Sequence, residues 1–326
     1  MSDHMQHALE LAKRGLGNVW PNPAVGAVIV KDGIIIGCGW TQPGGRPHAE
    51  AMALAQAGDA ARGATMYVTL EPCCQPGRGP ACTDNIIAAG IKKVVIAMLD
   101  PHQKVNGQGI VALRAAGIEV EVGECEAHAR ELNKGFLSVV ERGRPMVTLK
   151  LAVSANHKLS TGDAKNPWIT GEAARRHGHL LRATHDAILV GVGTVIADDP
   201  MLDCRIPGLE KFSPVRVVLD RRGQMPLDSK LEKTKNQIPL WVMAHKNLND
   251  ALKELATKGI TRVLVEGGAA VAKSFIAENL VDEWALYRSP NNAPDAGVNA
   301  PMPGLEFHVV EERPLGEDTY VRWVKS

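Results

Sequence analysis

The sequence is poor in aromatic residues, which make up 4% of its 326 residues, so a surface that stacks successive bases has little to be built from. It also lacks an excess of either charge. Lys and Arg number 37 against 36 Asp and Glu, interspersed along the chain, and no basic stripe marks a nucleic-acid partner. No run approaches the ~18 apolar residues of a membrane-spanning helix. The opening Met1-Ser2-Asp3-His4-Met5-Gln6-His7 has neither the basic nor the apolar region of a secretory leader. Cysteine is scarce as well. Cys38, Cys73, Cys74, Cys82, Cys125 and Cys204, in a long chain without a leader, read as reduced thiols or metal ligands rather than a disulfide framework. These absences predict a cytoplasmic protein that handles small molecules, with no nucleic-acid or membrane partner.

What is present is an ordinary globular balance, 45% hydrophobic and 22% charged, in a chain long enough for two domains. The first half alternates helical and strand patterns. Helices are predicted near Met5–Gly17, His48–Ala57, Thr83–Ala89 and Gly107–Ala116, with strands at Thr65–Leu70, Val94–Met98 and Ile118–Val122. Val25–Val30 and Ile34–Ile36 flank Lys31-Asp32-Gly33, a hairpin signal. Gly143-Arg144-Pro145 punctuates the chain after a helix ending near Glu141, which divides it into 1–143 and 144–326. The second half alternates again. Strands are predicted at Val147–Val153, Ile188–Val192, Val215–Leu219, Leu240–Ala244, Val263–Val265 and Ala285–Tyr287, and helices at Glu172–Ala183, Leu248–Lys258 and Ala270–Asn279. Both halves are therefore α/β.

The strongest chemical motif is His48-Ala49-Glu50, followed by Glu71-Pro72-Cys73 and Cys82. One imidazole and two thiolates are three ligands of the kind zinc prefers, leaving a fourth tetrahedral corner for water. Zinc brings that water toward neutrality as a hydroxide nucleophile, and Glu50 is the non-ligand acid/base. This is the pattern of zinc nucleobase deaminases. Residues i and i+2 do not share a helix face, so His48 and Glu50 can serve one water only if the helix points its N-terminal end at the site. Cys82 stands at a helix start, where backbone N–H groups favour a thiolate. Two cysteines can also be inert buried hydrophobes, and a structural zinc would need a fourth ligand, for which Cys74 and Cys38 are candidates.

The stretch Pro21-Asn22-Pro23-Ala24-Val25-Gly26, with Pro47-His48-Ala49-Glu50 and Thr69-Leu70-Glu71-Pro72-Cys73 through Cys82-Thr83-Asp84, resembles the cytidine-deaminase-like domain of the bifunctional riboflavin-biosynthesis deaminase/reductase family. The eight residues between Cys73 and Cys82 fit that family, whereas many zinc deaminases have two. The resemblance implies that Asn22 contacts the pyrimidine and that Glu50 shuttles protons. Three positions depart from the family pattern. Gln75 and Thr41 stand where histidines are usual, and Gly79-Pro80-Ala81-Cys82 replaces Thr-Pro-Pro-Cys. Arg78 remains as a phosphate partner.

After Gly143 no G-x-G-x-x-G occurs, which argues against a Rossmann cofactor site. Val263-Leu264-Val265-Glu266-Gly267-Gly268 instead runs a strand into glycines and a helix, a place where backbone N–H groups can meet a phosphate. With Trp168-Ile169-Thr170-Gly171, His179-Leu180-Leu181-Arg182-Ala183 and Val192 through Pro200, it is similar to the dihydrofolate-reductase-like reductase domain of the same family. The resemblance implies NADPH contacts at Ala152, Trp168, Thr194, Asp198, Gly268 and Ser274, and substrate contacts at Asn166, Arg182, Leu202, Arg205 and Glu266. Arg182 and Arg205 can fork onto a ribose phosphate. Here Ser154-Ala155-Asn156-His157 replaces the family's Ser-Leu-Asp-Gly turn, Asn166 replaces a serine, and Asn291-Asn292-Ala293-Pro294-Asp295 replaces a glycine-rich segment. A left-handed backbone at His157 would strain the turn.

The resemblance thus implies a homo-oligomer that uses Zn²⁺ and NADPH on a phosphorylated pyrimidine. Zinc hydroxide deaminates C2 of 2,5-diamino-6-ribosylamino-4(3H)-pyrimidinone 5′-phosphate, and NADPH then reduces the ribosyl group to ribityl. The alternative is a monofunctional deaminase with a degenerate second domain.

Overall fold

A computed structural model describes residues 2–76, 79–102, 105–159, 168–294 and 298–326. Contacts divide the chain into two compact units, Met1–Gly143 and Arg144–Ser326. Arg78, Asn166 and Asp295, singled out in the sequence, lie outside the described residues.

In the first unit, helix α1 (Asp3–Lys13) starts at Ser2, whose hydroxyl accepts the Met5 N–H. It is followed by β1 (Gly26–Lys31), β2 (Ile34–Trp40), α2 (Ala49–Ala57), β3 (Thr65–Val68), α3 (Cys82–Ala88), β4 (Lys93–Ile96), α4 (Gln108–Ala115), β5 (Glu119–Val122), α5 (Glu126–Leu132) and α6 (Lys134–Arg142). The sheet order is β2-β1-β3-β4-β5, antiparallel across the first three strands and parallel from β3 to β5. Asp32 and Gly33, with φ of 51° and 77°, close the β1–β2 hairpin as their dipeptide predicts. Gly39 on β2 lets α2 lie flush on the sheet. A Cβ there would stand 2.1 Å from the Ala49 carbonyl, at the very turn that presents His48 and Glu50.

The second unit runs β6 (Met146–Val153), α7 (Glu172–Ala183), β7 (Ala187–Gly191), α8 (Val192–Asp198), β8 (Val215–Leu219), α9 (Lys230–Lys233), β9 (Leu240–Met243), α10 (Leu248–Thr257), β10 (Arg262–Val265), α11 (Ala269–Ala277), β11 (Glu283–Arg288), β12 (Phe307–Leu315) and β13 (Asp318–Lys325). Its sheet order is β12-β13-β11-β6-β10-β7-β8-β9, parallel from β11 to β9 with an antiparallel β12–β13 edge. Central strands buried on both faces read as continuous Val/Ile/Leu runs, which is why β6, β7 and β8 are legible from composition. The buried Asp186 accepts the Thr261 hydroxyl and the Thr261 and Arg262 amides, tying the start of β7 to the start of β10. Among the described residues no helix is long and apolar enough to cross a membrane.

The turn after β6 answers the question that its sequence raises. His157 has φ of 56°, in the left-handed region. Asn156 stitches the turn, accepting from the Ser154 hydroxyl (2.7 Å) and the Ala293 amide (2.9 Å). The left-handed penalty of ~1–2 kcal/mol exceeds the unfolded-chain entropy of ~0.4–1 kcal/mol that a glycine would add. His157→Gly is therefore expected to stabilise the second unit by about 0.5–1 kcal/mol, read by denaturant titration. An unchanged or lowered midpoint would contradict this.

Candidate functional site

In the first unit the metal-type residues converge. His48 is the N-cap of α2, with extended backbone and no side-chain capping bond, so its imidazole is left for the site, and Glu50 sits in the first turn. The helix therefore does point its N-terminal end inward. His48 Nδ1 lies 3.2 Å from Cys82 Sγ and 3.7 Å from Cys73 Sγ, and one donor atom of each residue falls within 4.8 Å of the others. Cys82 is itself the first residue of α3. Its amide donates to Cys73 Sγ at 3.4 Å, so the helix-start N–H serves the other cysteine than the one the sequence pattern suggests. A hydrogen bond from the Cys82 thiol, with help from His48, pulls the Cys73 thiol down to about 4 despite burial. Cys82, donating to Cys73 and buried, is pushed far up. One sulfur is thus a ready thiolate, and a metal would displace the remaining proton.

The donor set fits zinc. Among the described residues no fourth protein ligand joins the triangle. Cys74 is not part of it, and Cys38 stands by His7 instead, at 3.9 Å. His48 and Cys73 line a cavity of about 310 Å³ together with Asn22, Glu50, Asp100, His102 and Phe136 among others. Glu50 is 4% exposed, and burial raises its pKa.

Several supporting residues escape sequence reading. Gly45, at φ 85°, leaves room for Asn22, since a Cβ there would stand 1.8 Å from Asn22 Nδ2. The buried Asn133 accepts the Ala24 amide and donates to the Ala24 carbonyl, fixing the Asn22 loop from 109 residues away. Glu71 accepts four amides, those of Asp100, Gly107, Gly109 and Ile110, and binds the segment before Cys73 to a wall of the cavity. Thr41, also lining the cavity, has its hydroxyl engaged with both the amide and the carbonyl of Val25.

In the second unit a cavity of about 610 Å³ is lined by Lys150, Trp168, Arg176, Arg182, Arg205 and Glu266, with others. Arg182, expected to fork onto a phosphate, is engaged here with protein groups. Its Nε and Nη2 grip Glu266 at 2.8 and 3.0 Å, and its Nη1 donates to the Asp203 carbonyl. Burial pushes the Glu266 carboxyl up, but Arg182 and Lys150 overcome it and hold the group well below the usual carboxylate range. Arg205 stays at the rim, its side chain 60% exposed. Arg176 is exposed and without an ion pair among the described residues, and the sequence reading passed over it. Leu202 is 4% exposed in an apolar cluster with Val190 and Leu231, so only its main chain is left to meet a ligand.

Of the residues expected to hold NADPH, Thr194 and Gly268 meet, the Gly268 amide lying 3.3 Å from Thr194 Oγ1. Gly268 is the N-cap of α11 with no side-chain cap, and a Cβ on Gly267 would come within 2.7 Å of Val271 Cβ. That bare helix start fits a phosphate. Trp168, 57% exposed, carries the Arg175 guanidinium 5.0 Å over its ring. Ala152 stands opposite Tyr287 in the sheet, Asp198 ends α8, and the Ser274 hydroxyl is donated to the Ala270 carbonyl.

Comparison with known proteins accounts for both units. Residues 1–98 match the cytidine and deoxycytidylate deaminase zinc-binding region, and residues 145–292 match the RibD C-terminal domain. The riboflavin biosynthesis protein RibD of Aquifex aeolicus is 41% identical, covering 98% of this chain and 97% of its own. That of Escherichia coli is 38% identical over 98% of each. Acinetobacter baumannii RibD superposes with a TM-score of 0.90 at 39% identity, covering 99% of this chain and 98% of that one. A Thermotoga maritima diaminohydroxyphosphoribosylaminopyrimidine deaminase/5-amino-6-(5-phosphoribosylamino)uracil reductase gives 0.89 at 35% identity with the same coverage. The chain belongs to the RibD family of bifunctional riboflavin-biosynthesis deaminase/reductases.

Proposed function

We propose that the first unit deaminates 2,5-diamino-6-ribosylamino-4(3H)-pyrimidinone 5′-phosphate at C2 and that the second reduces the ribosyl group of the product to ribityl. The observation that carries the first step is the His48, Cys73 and Cys82 triangle, bordering the cavity that Glu50 also lines. These residues would hold zinc, which when bound supplies a Lewis acid and a water made acidic enough to attack. Glu50 takes one proton of the attacking water and gives it to the ring nitrogen, then carries the second, from the new C2 hydroxyl, to the departing amine. Water adds at C2, the C2–N bond breaks, and ammonia leaves. Asn22, held by Gly45 and the Asn133 brace, orients the pyrimidine.

For the second step, NADPH, which supplies the hydride, would lie against Thr194 and the start of α11, where the Gly268 amide donates to Thr194 Oγ1. Lys150 and Glu266, 3.4 Å apart, present an ammonium and a carboxylate side by side to the sugar. Arg182 keeps that carboxylate ionised. Relatives that match 98% of the chain favour two activities over a lone deaminase. Purified protein is expected to carry one zinc per chain, to release ammonia and to oxidise NADPH with the deaminated intermediate. A metal-free chain that still deaminates would sink the first half, and absent NADPH oxidation the second.

Besides Arg182 and Lys150, the cations Arg175, Arg176 and Arg205 line the second unit's cavity, and the exposed Arg176 and Arg205 are offered for the phosphate. Arg176→Gln is expected to raise KM for the phosphorylated intermediate about 2–5-fold, the worth of one exposed charge contact, with kcat kept. A dephosphorylated analogue should show no such change, and an equal change for both would refute the assignment. The six free cysteines fit a reducing cytoplasm. A homo-oligomer, read by sedimentation, has an unpaired edge available in β12, where Val309 and Val310 are each 43% exposed.

A further inference from the structure

Lys150, which lines the second cavity, is next to a chain of side chains that neither step above uses. Tyr287 on β11 is 1% exposed, and its hydroxyl lies 2.8 Å from Nδ1 of His177 on α7. Nε2 of the same imidazole lies 2.6 Å from Nη2 of Arg313 on β12. The His177 ring also meets Tyr320 edge-on, with centroids 4.5 Å apart. On its other side the Tyr287 ring carries the Lys150 ammonium, 5.7 Å from the ring centroid, inside cation–π range. Lys150 sits one strand over, on the same face of the sheet, because Tyr287 is in register with Ala152 and Ala285 with Lys150. Its stem passes α7 at Gly178, where a Cβ would come within 3.9 Å of Lys150 Cε.

The donor inventory orders this chain. A guanidinium only donates, so the His177 Nε2 that faces Arg313 must be the bare nitrogen. The ring proton is then on Nδ1 and is given to the Tyr287 oxygen. Burial, and secondarily the Arg313 charge, lower the His177 pKa to about 4, in keeping with a neutral ring. Tyr287 is thereby fixed at its hydroxyl end, and its ring becomes a rigid wall.

We propose that Arg313, His177 and Tyr287 are positioning residues of the reductase site, which fix the Tyr287 ring as the surface that keeps the Lys150 ammonium beside Glu266. The inference rests on reading this cavity as the reductase site. None of the three touches the sugar in this scheme. They act through Lys150, whose two neighbours are a carboxylate at 3.4 Å and an aromatic face.

The full-length chain supplies its own control, because ammonia release reports on the other unit. Tyr287→Phe keeps the ring but loses its hydrogen bond to His177, and is expected to lower kcat for NADPH oxidation about 10-fold with KM changed little; an unchanged kcat would remove Arg313 and His177 from the proposal. Tyr287→Leu removes the wall and is expected to lower kcat about 10²-fold with KM changed little, the cost of a small misplacement at a reacting group. Long-range ¹⁵N correlation of His177 is expected to show a protonated Nδ1 and a bare Nε2 in the wild type, and a mixture in Arg313→Gln. A Tyr287→Leu chain with near wild-type kcat, or a His177 proton found on Nε2, overturns the proposal. Should the leucine variant fail to fold, Arg313→Gln still decides: a mixed His177 tautomer with kcat lowered about 5–10-fold supports the proposal, and kcat at the wild-type value overturns it. A wild type with protonated Nδ1 but no NADPH oxidation would sink the reading of the cavity rather than the ordering of the side chains.

Discussion

Replacing Glu50 by glutamine is expected to cut ammonia release about 10³-fold while leaving bound zinc stoichiometric, since acid–base groups contribute ~10²–10⁴. The two halves of that result come from different residues. Zinc would be retained because His48, Cys73 and Cys82 form the donor triangle and Glu50 is not a member of it. Turnover would be lost because an amide of the same shape cannot take a proton from water and return it. Folding is not at risk from size, as the two side chains are isosteric. NADPH oxidation with ready-made deaminated intermediate should be unchanged, since that chemistry belongs to the other unit. Ammonia release near the wild-type rate, or loss of zinc together with activity, would remove Glu50 from the role assigned to it.

The second large effect is expected from Glu266→Gln. NADPH oxidation should be lost, and the second unit should be destabilised by about 3–5 kcal/mol, the usual result of removing one partner from a buried ion pair. The side chains of Arg182 and Glu266 are 14% and 8% exposed, and two of the three Arg182 nitrogens end on that carboxylate. Without it a guanidinium remains charged, buried and uncompensated, and Lys150 loses its counterion. The pH dependence has a definite sign. Glu266 is held below its unfolded value, so its contribution is fully present above the ordinary carboxylate pKa and is lost only as acid carries the pH down through the depressed folded value. Near neutrality the wild type should therefore show no pH dependence from this pair. Arg182→Met combined with Glu266→Leu should recover stability but not reduction. A denaturation midpoint for Glu266→Gln within about 0.5 kcal/mol of wild type, the usual range of an inconsequential surface change, would count against the buried pair.

Much of this was legible in the residues, for identifiable reasons. Helix α7 runs Glu172–Ala183 as its pattern predicts, and the hairpin closes at Asp32-Gly33 because that dipeptide tolerates positive φ. The metal triangle could be read because thiols and an imidazole at these spacings have few other uses in a reduced protein. What the sequence hid are partnerships made at long range. Glu71 finds amides 29 to 39 positions away, Asn133 finds Ala24, and Glu266 finds Arg182 across 84 residues. No local spacing encodes such pairs, and a buried charge given two possible partners chooses the nearer opposite charge. The β12–β13 edge was missed for another reason. β12 is exposed at most positions and carries Pro314, so it shows no clean alternation and bears a residue that strands usually avoid.

Glu71 has a consequence for how this enzyme could be altered. Its two oxygens receive N–H groups only, from four points on one stretch of backbone. A glutamine would turn an –NH₂ toward amides that themselves donate, and an aspartate would fall a methylene short. The chemically gentle replacements are therefore closed at this position, although it neither binds metal nor moves a proton. Efforts to retune the neighbouring cavity for other pyrimidines have more freedom at Gln75, which lines it, than at the carboxylate that anchors its wall.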